Sequence, residues 1–184
     1  MKLHVLTAVS RPWNLNVVAG SLSTALARAP DLDLTWHLRF DLQREHVGGQ
    51  GLKNEMLDQI TDGWVWVLDD DTLVHECLFE TLLRIVQQKP KVQAIVVSQR
   101  RNDGRVLRAT PGNAVVGGID AGQVVMKREL VADARIPETY AGDGIWLQAL
   151  LTGAPDVYFE PSVLSLHNVL SGLEVSEPVA RMSS

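Results

Sequence analysis

"GWVWVLDDDT", Gly63 to Thr72, carries five apolar residues, Trp64 to Leu68, straight into three consecutive aspartates. An unbroken apolar run of this length reads as a strand covered on both faces, as in parallel α/β sheets. Ligands bind outside the carboxyl ends of such strands. Two carboxylates about 4 Å apart repel by roughly 1 kcal/mol in water and roughly 4 kcal/mol at an effective dielectric of 20. A third compounds the cost, so a positive partner is expected at the cluster. If strand alternation persists, Asp69 and Asp71 fall on one side and Asp70 on the other, a D-x-D pair. Two carboxylates on one side suit a hard divalent cation, Mn²⁺ or Mg²⁺, with water and substrate phosphate filling the other positions. The alternative is that Asp71 or Thr72 merely caps the helix carrying Leu78.

Outward from this strand, strand-like and helix-like segments alternate, the pattern of an α/β domain. Leu3 to Val9 reads as a first strand, and Val18, Leu22, Ala25 and Leu26 as the stripe of a helix ending near Pro30. Leu32 to Phe40 reads as a second strand and "DLQREHVGGQG" as a glycine-bearing loop; Leu52, Met56, Leu57 and Ile60 then share a helical face. After the aspartates come a helix through Leu78, Phe79, Leu82 and Val86, a strand over Val92 to Val97, and a long basic loop, "SQRRNDGRVLRATPGN". Gly122 to Met126 reads as a strand, Ile145 to Leu151 as a helix, and Val157 to Glu160 and Val163 to His167 as two short strands. A tail of uncertain order is expected over 171–184. No internal repeat or low-complexity block interrupts the chain, so one domain over 1–184 is expected.

At 184 residues and 46% hydrophobic content the chain can bury a substantial core. A formal net charge of −5 argues against a general nucleic-acid or membrane-surface binder, since those need a basic face. Cys77 is the single cysteine, so an intrachain disulfide is excluded, and its place on an apolar helical face points to inert packing. This is compatible with a reducing, cytoplasmic setting. No apolar run reaches the roughly 18 residues of a membrane span, and the amino-terminal stretch lacks the features of a cleaved leader.

The order of short motifs resembles the glycosyltransferases of the GT-A fold, most closely the family-2 type. "LTAVSRPWNLN" resembles the first strand and its Asn-Arg-Pro-type loop, here Ser10, Arg11 and Pro12. "GGQGLKNEML" is similar to the segment in which a basic residue and Asn, here Lys53 and Asn54, open the helix before the metal strand. "VWVLDDDTLVHECLFETLL" resembles the D-x-D strand and its following helix. "GGIDAGQVVMKREL" is similar to the glycine-bearing acceptor and donor loop, "YAGDGIWLQALL" stands at the catalytic acidic segment, and "SVLSLHNV" supplies a late histidine. The resemblance implies a Rossmann-like sandwich with a mostly parallel central sheet, a nucleotide-sugar donor, UDP-linked in the family's manner, and a hydroxyl acceptor. It implies Asp143 as the base of an inverting transfer, and metal ligation by Asp71, Asp69 and His167. It implies donor contacts from Ser10, Arg11, Asp41, Lys53, Asn54, Asp69, Asp70 and Gly122, with homo-oligomerisation open. The family usually carries Glu-Asp where Gly142 precedes Asp143 here.

Each residue also has an ordinary explanation. Asp143 suits a helix N-cap, Asp41 a turn, His167 a satisfied strand histidine and Lys53 a solvated helix position. Arg100, Arg101, Arg105 and Arg108 suit a solvated loop, and Trp36, Trp64, Trp66 and Trp146 core bulk, while Trp13 beside the site suits stacking. Other functions fit the same residues less well. A haloacid-dehalogenase phosphatase wants a residue between its second aspartate and the threonine, whereas Thr72 directly follows Asp71. A nucleotidyltransferase wants a glycine-rich first loop that "TAVSRPWNL" lacks. A catalytically silent nucleotide-sugar binder or assembly subunit is the non-enzyme alternative.

Overall fold

All four residues of the strand Trp64–Val67 are buried, and they divide alternately between two hydrophobic clusters: Trp64 and Trp66 pack into one, Val65 and Val67 into the other. The same division runs through Ala94–Val97 and Val124–Met126. Both faces of the sheet are therefore covered, which is why these strands read as unbroken apolar runs. The computed structural model describes residues 1–171, so that from residue 172 onward the expected tail lies outside the described residues.

The strands are β1 (Lys2–Val9), β2 (Asp33–Phe40), β3 (Trp64–Val67), β4 (Leu73–Val74), β5 (Ala94–Arg101), β6 (Val106–Leu107), β7 (Val124–Lys127) and β8 (Val157–His167). They form one sheet in the order β2-β1-β3-β7-β5-β8-β4, with β6 paired to β5. β2, β1, β3, β5 and β8 run the same way, while β7 is antiparallel between β3 and β5. Helices α1 (Leu15–Ala27) and α3 (Leu78–Gln88) bury Val18, Leu22, Phe79 and Leu82 on one face. Helices α2 (Gln50–Asp58) and α5 (Gly142–Gly153) bury Met56, Leu57, Trp146 and Leu147 on the other. A short α4 (Arg128–Val131) follows β7. Among the described residues no helix is long and apolar enough to cross a membrane.

Several boundaries differ from the sequence reading, each for a tertiary reason. The basic loop is shorter than expected, because β5 continues through Ser98–Arg101 and β6 folds back on it, pairing Gln99 with Leu107 and Arg100 with Val106. The two expected carboxyl-terminal strands are one, β8, which passes Pro161 at a register shift against β5, a position where proline costs no ladder bond. Neither Asp71 nor Thr72 caps α3: β4 and a turn intervene, and Cys77 holds the N-cap without a side-chain bond. Cys77 is thus at the helix end, partly buried against the core, rather than within the helical stripe.

The chain passes from β1 to β2 on one side and returns to β3 on the other. That reversal opens a crevice at the carboxyl ends of β1 and β3, where open α/β sheets bind ligands. Ser10 and Arg11 leave β1 there, Asp41 leaves β2, and the three aspartates leave β3.

Candidate active site

The aspartates part company as soon as β3 ends at Val67. Asp69 turns to Lys53 of α2, whose ammonium lies 2.8 Å from its Oδ1. Asp70 turns to the end of β1: its Oδ2 accepts from the backbone N–H groups of Ser10 and Arg11, both at 2.6 Å, and from Ser10 Oγ at 3.1 Å. Arg11 Nε also lies 3.1 Å from Asp70 Oδ1, and its Nη1 donates to Asp71. Asp71 bonds Arg11 on the Asp70 side, yet it stays close enough to Asp69 for the two carboxylates to repel. The positive partners expected for the cluster are Lys53 and Arg11.

Asp70 and Asp71 are each 2% exposed, whereas the Asp69 side chain is 33% exposed. Burial raises the pKa of Asp71, reinforced by Asp69 and opposed by Arg11. Burial also works to raise that of Asp69, but the adjacent Lys53 outweighs it and holds Asp69 below the usual carboxylate range. Lys53 is buried too; burial alone would lower its pKa, and Asp69, helped by Asp143 and Asp120, raises it instead. The solvated-helix reading of Lys53 is therefore wrong. It is an internal counterion.

His167 ends β8 beside this cluster, with Nδ1 3.6 Å from Asp120 Oδ1. Asn168, its amide nitrogen turned toward Asp71, donates to both Asp71 oxygens at 3.0 and 3.1 Å and accepts from His167 Nε2 at 2.9 Å. Asn168 thus ties the histidine to the third aspartate. Asp120 caps the turn before β7 with a reciprocal Asp120–Gln123 box and accepts from Gln99 Nε2 at 3.2 Å. Burial raises the Asp120 pKa, with His167 opposing and Asp69 and Asp143 adding to the rise. Sequence reasoning missed Asp120 and Asn168. The D-x-x-Q spacing of Asp120 and Gln123 is a capping-box signal that marks the former.

Asp143 lies inside the first turn of α5, with Ala141 at the N-cap, so it does not cap the helix. It faces a cleft of about 430 Å³ that Asp69, Lys53, Asp120 and His167 also line. A second cleft, about 410 Å³, runs over the ends of β1 and β2 past Ser10, Arg11, Asp41 and Gly49. Asp41 accepts from Glu45 and His46 N–H groups at 2.9 and 3.2 Å, so it is both a turn residue and a wall of that cleft. Asp69 borders both clefts.

Two expected contact residues are occupied elsewhere. Asn54 exchanges two 2.9 Å bonds with the backbone of Ile136. Gly122 is buried, its carbonyl accepting from Trp66 Nε1 at 3.2 Å. A Cβ there would meet Gln99 Nε2 at 2.7 Å, which accounts for glycine. Trp13 is half exposed near Arg11, while Trp64, Trp66 and Trp146 are core.

The donor set of carboxylates and imidazole suits a hard divalent cation in chemistry: among the described residues Lys53 and Arg11 are the lysine and arginine cations at contact distance from Asp69, Asp70, Asp71, Asp120 and Asp143, with His167 3.6 Å from Asp120. In geometry, no three His, Cys, Asp or Glu side chains among the described residues converge to hold one. Ligation by Asp71 requires Arg11 to release it.

The model of a family described as "Glycosyltransferase like family 2" matches residues 33–133, more than half of the chain. Among solved structures, TarS of S. aureus has a TM-score of 0.68 at 12% identity, covering 92% of this chain and 37% of TarS. TarS 1–349 in complex with UDP-GlcNAc gives 0.63 at 13%, over 90% and 58% of the two chains. The mannosyltransferase PcManGT from Pyrobaculum calidifontis, in complex with GDP-Man and Mn²⁺, gives 0.59 at 17%, over 91% and 56%. These identities establish likeness of fold, the GT-A fold, and the chain spans 37% to 58% of the length of these three relatives. No curated protein matches the sequence.

Proposed function

The chain belongs to the glycosyltransferase like family 2, and from that premise we propose that it moves a sugar from a nucleoside-diphosphate donor, UDP-linked, to an acceptor hydroxyl with inversion. The observation that supports this most is Asp69, which borders both clefts at the end of β3. One cleft takes the nucleotide, lined by Ser10, Arg11 and Asp41; the other takes the acceptor, lined by Asp143. The sugar crosses at their junction.

The chain's own residues divide the work by charge. Asp143 takes the proton of the acceptor hydroxyl as that oxygen bonds to the anomeric carbon and the bond to the diphosphate breaks. Lys53 fixes Asp69 at the junction, and Asp70 holds the Ser10–Arg11 backbone so that the guanidinium can turn from Asp71 to a phosphate oxygen. Asn54 acts at a distance, pinning Ile136 and with it the segment leading to Asp143; Gly122 acts through packing. A divalent cation, Mn²⁺ or Mg²⁺, would supply Lewis-acid stabilisation of the leaving diphosphate; Asp69, Asp71 and His167 would hold it once Arg11 releases Asp71 and the three side chains draw together.

A thermal-shift screen of UDP- and GDP-sugars, with Mn²⁺ or with EDTA, tests the proposal. A ligand that binds only the native state at 100 times its Kd adds about 2.7 kcal/mol. A UDP-sugar raising Tm only with metal is the expected outcome, and no shift with any nucleotide sugar would refute it.

A further inference from the structure

Nine large apolar side chains are exposed among the described residues, and three of them, Val47, Val116 and Tyr140, line the Asp143 cleft. Val115 and Ile145 adjoin it in sequence, and a Cβ on Gly144 would stand 3.4 Å from Val116 Cα. A cleft with an acidic floor therefore has an apolar rim. Tyr140 is the extreme case: its side chain is in solvent, at 97% exposure.

The segment that carries Tyr140 is held in place rather than loose. Asn54 grips Ile136 at both its N–H and its carbonyl. Gly142 N–H donates to Thr139 at 2.9 Å, and Gly142 lies so close under Pro137 that a Cβ would come within 1.9 Å of its carbonyl oxygen. Gln50 Nε2 reaches the Thr139 carbonyl at 3.4 Å. Tyr140 is thus a solvated side chain on a pinned turn, three residues before Asp143, at the edge of the cleft.

Gln50 provides the second, independent observation. It is 5% exposed and lines the same cleft, yet its Oε1 is buried without a hydrogen-bond partner. A buried amide oxygen left unpaired costs roughly 1–3 kcal/mol, a cost removed when the amide turns its oxygen into the cleft to meet a ligand hydroxyl. Gly48 makes the room: a Cβ there would stand 2.8 Å from Gln50 Oε1 and Nε2.

We infer that Tyr140 and Gln50 form the acceptor subsite, and that the acceptor is a pyranoside whose apolar ring face stacks on Tyr140 while one of its hydroxyls donates to Gln50 Oε1. A sugar ring offers both features, an apolar C–H face and hydroxyl donors at its edge, and tyrosine suits a half-wet face of this kind. This rests on the reading of the Asp143 cleft as the acceptor side of a transferase.

The chain has two tyrosines, Tyr140 and Tyr158, so ring-labelled tyrosine gives two sets of NMR signals that Tyr140→Phe assigns. The probes are methyl and octyl glucopyranoside, galactopyranoside and mannopyranoside, titrated with and without saturating UDP and Mn²⁺. At least one is expected to shift the Tyr140 ring and leave Tyr158 unmoved. Tyr140→Ala is expected to weaken its binding about 2- to 12-fold, the usual worth of an aromatic stack, with Tyr140→Phe near wild type. Gln50→Met is expected to weaken it independently. A gain confined to octyl glycosides, insensitive to Gln50→Met, would overturn the pyranoside assignment in favour of an apolar aglycone. No response of Tyr140 to any probe, in protein that binds UDP, would overturn the subsite and leave the transferase reading standing; loss of UDP binding in the wild type would instead strike that reading.

Discussion

Replacing Lys53 by methionine removes the ammonium while keeping the length of the side chain. Asp69 is then left with a carboxylate whose nearest cation is gone and whose neighbours include Asp71 and Asp120. Breaking a buried pair from one side costs about 3–5 kcal/mol. Lys53 is buried, but a third of the Asp69 side chain reaches solvent, which puts the expected loss near the lower end, about 3 kcal/mol. For a chain of this size that lowers Tm by about 6–12 °C. The sign with pH is fixed by the same charges. In the wild type Lys53 depresses the Asp69 pKa, so that pair stabilises above the unfolded carboxylate pKa and the contribution is lost as pH falls through the folded value. Without Lys53, burial raises that pKa, and the penalty should shrink on acidification as Asp69 takes up a proton. The assay is urea unfolding of both proteins between pH 5 and pH 8, with and without Mn²⁺, and cation should recover part of the loss. A change below about 0.5 kcal/mol with parallel pH profiles would refute the claim that Lys53 balances the cluster.

Asp143→Asn should retain UDP affinity by calorimetry but lose transfer by about 10²–10⁴, the worth of a positioned base; normal turnover would move the base elsewhere. Gly142→Ala should lower stability by about 1–3 kcal/mol in thermal unfolding, since its Cβ would meet the Pro137 carbonyl oxygen at 1.9 Å. On the far edge of the site's face, His4 Nδ1 and His37 Nε2 lie 2.9 Å apart, and burial lowers both pKa values, with Lys2 adding for His4 and His4 for His37. Their contribution is whole above the unfolded value of about 6.5 and is lost as pH falls from there toward the folded values, because the unfolded chain takes up protons first. His37→Gln should therefore flatten the decline in stability below pH 6.5, and an unchanged slope would count against the pair.

The alternating burial of Trp64–Val67 and the turn into charge were legible because both depend on neighbours in sequence. So were β1 and β2 to within a residue. β4 was not, since two residues, Leu73 and Val74, become a strand only by pairing with Leu166 and Ser165 some ninety positions away. The polar end of β5 was missed for the same reason: Ser98 Oγ and Gln99 Nε2 are buried where Ala109, Asp120 and Ser165 bond them. Within the site, residue types and order pointed to Lys53, the aspartates, Asp143 and His167, which the fold gathers about the ends of β3 and β8. Pairings were not legible. That Asn54 would hold Ile136, that Arg11 would cross to Asp71, and that Asn168 would link Asp71 to His167 are matters of distance across 60 to 100 residues of chain.

In the proposed transfer a nucleotide and a divalent cation meet at the end of β3. Calorimetric titration of UDP into wild type, Asp71→Asn and Asp143→Asn, each with Mn²⁺ and with EDTA, tests it most directly. The expected result is Mn²⁺-dependent binding in the wild type and in Asp143→Asn, and loss of that dependence in Asp71→Asn with the fold intact by circular dichroism. Equal affinity in Mn²⁺ and EDTA, or UDP binding in Asp71→Asn indistinguishable from wild type, would contradict it.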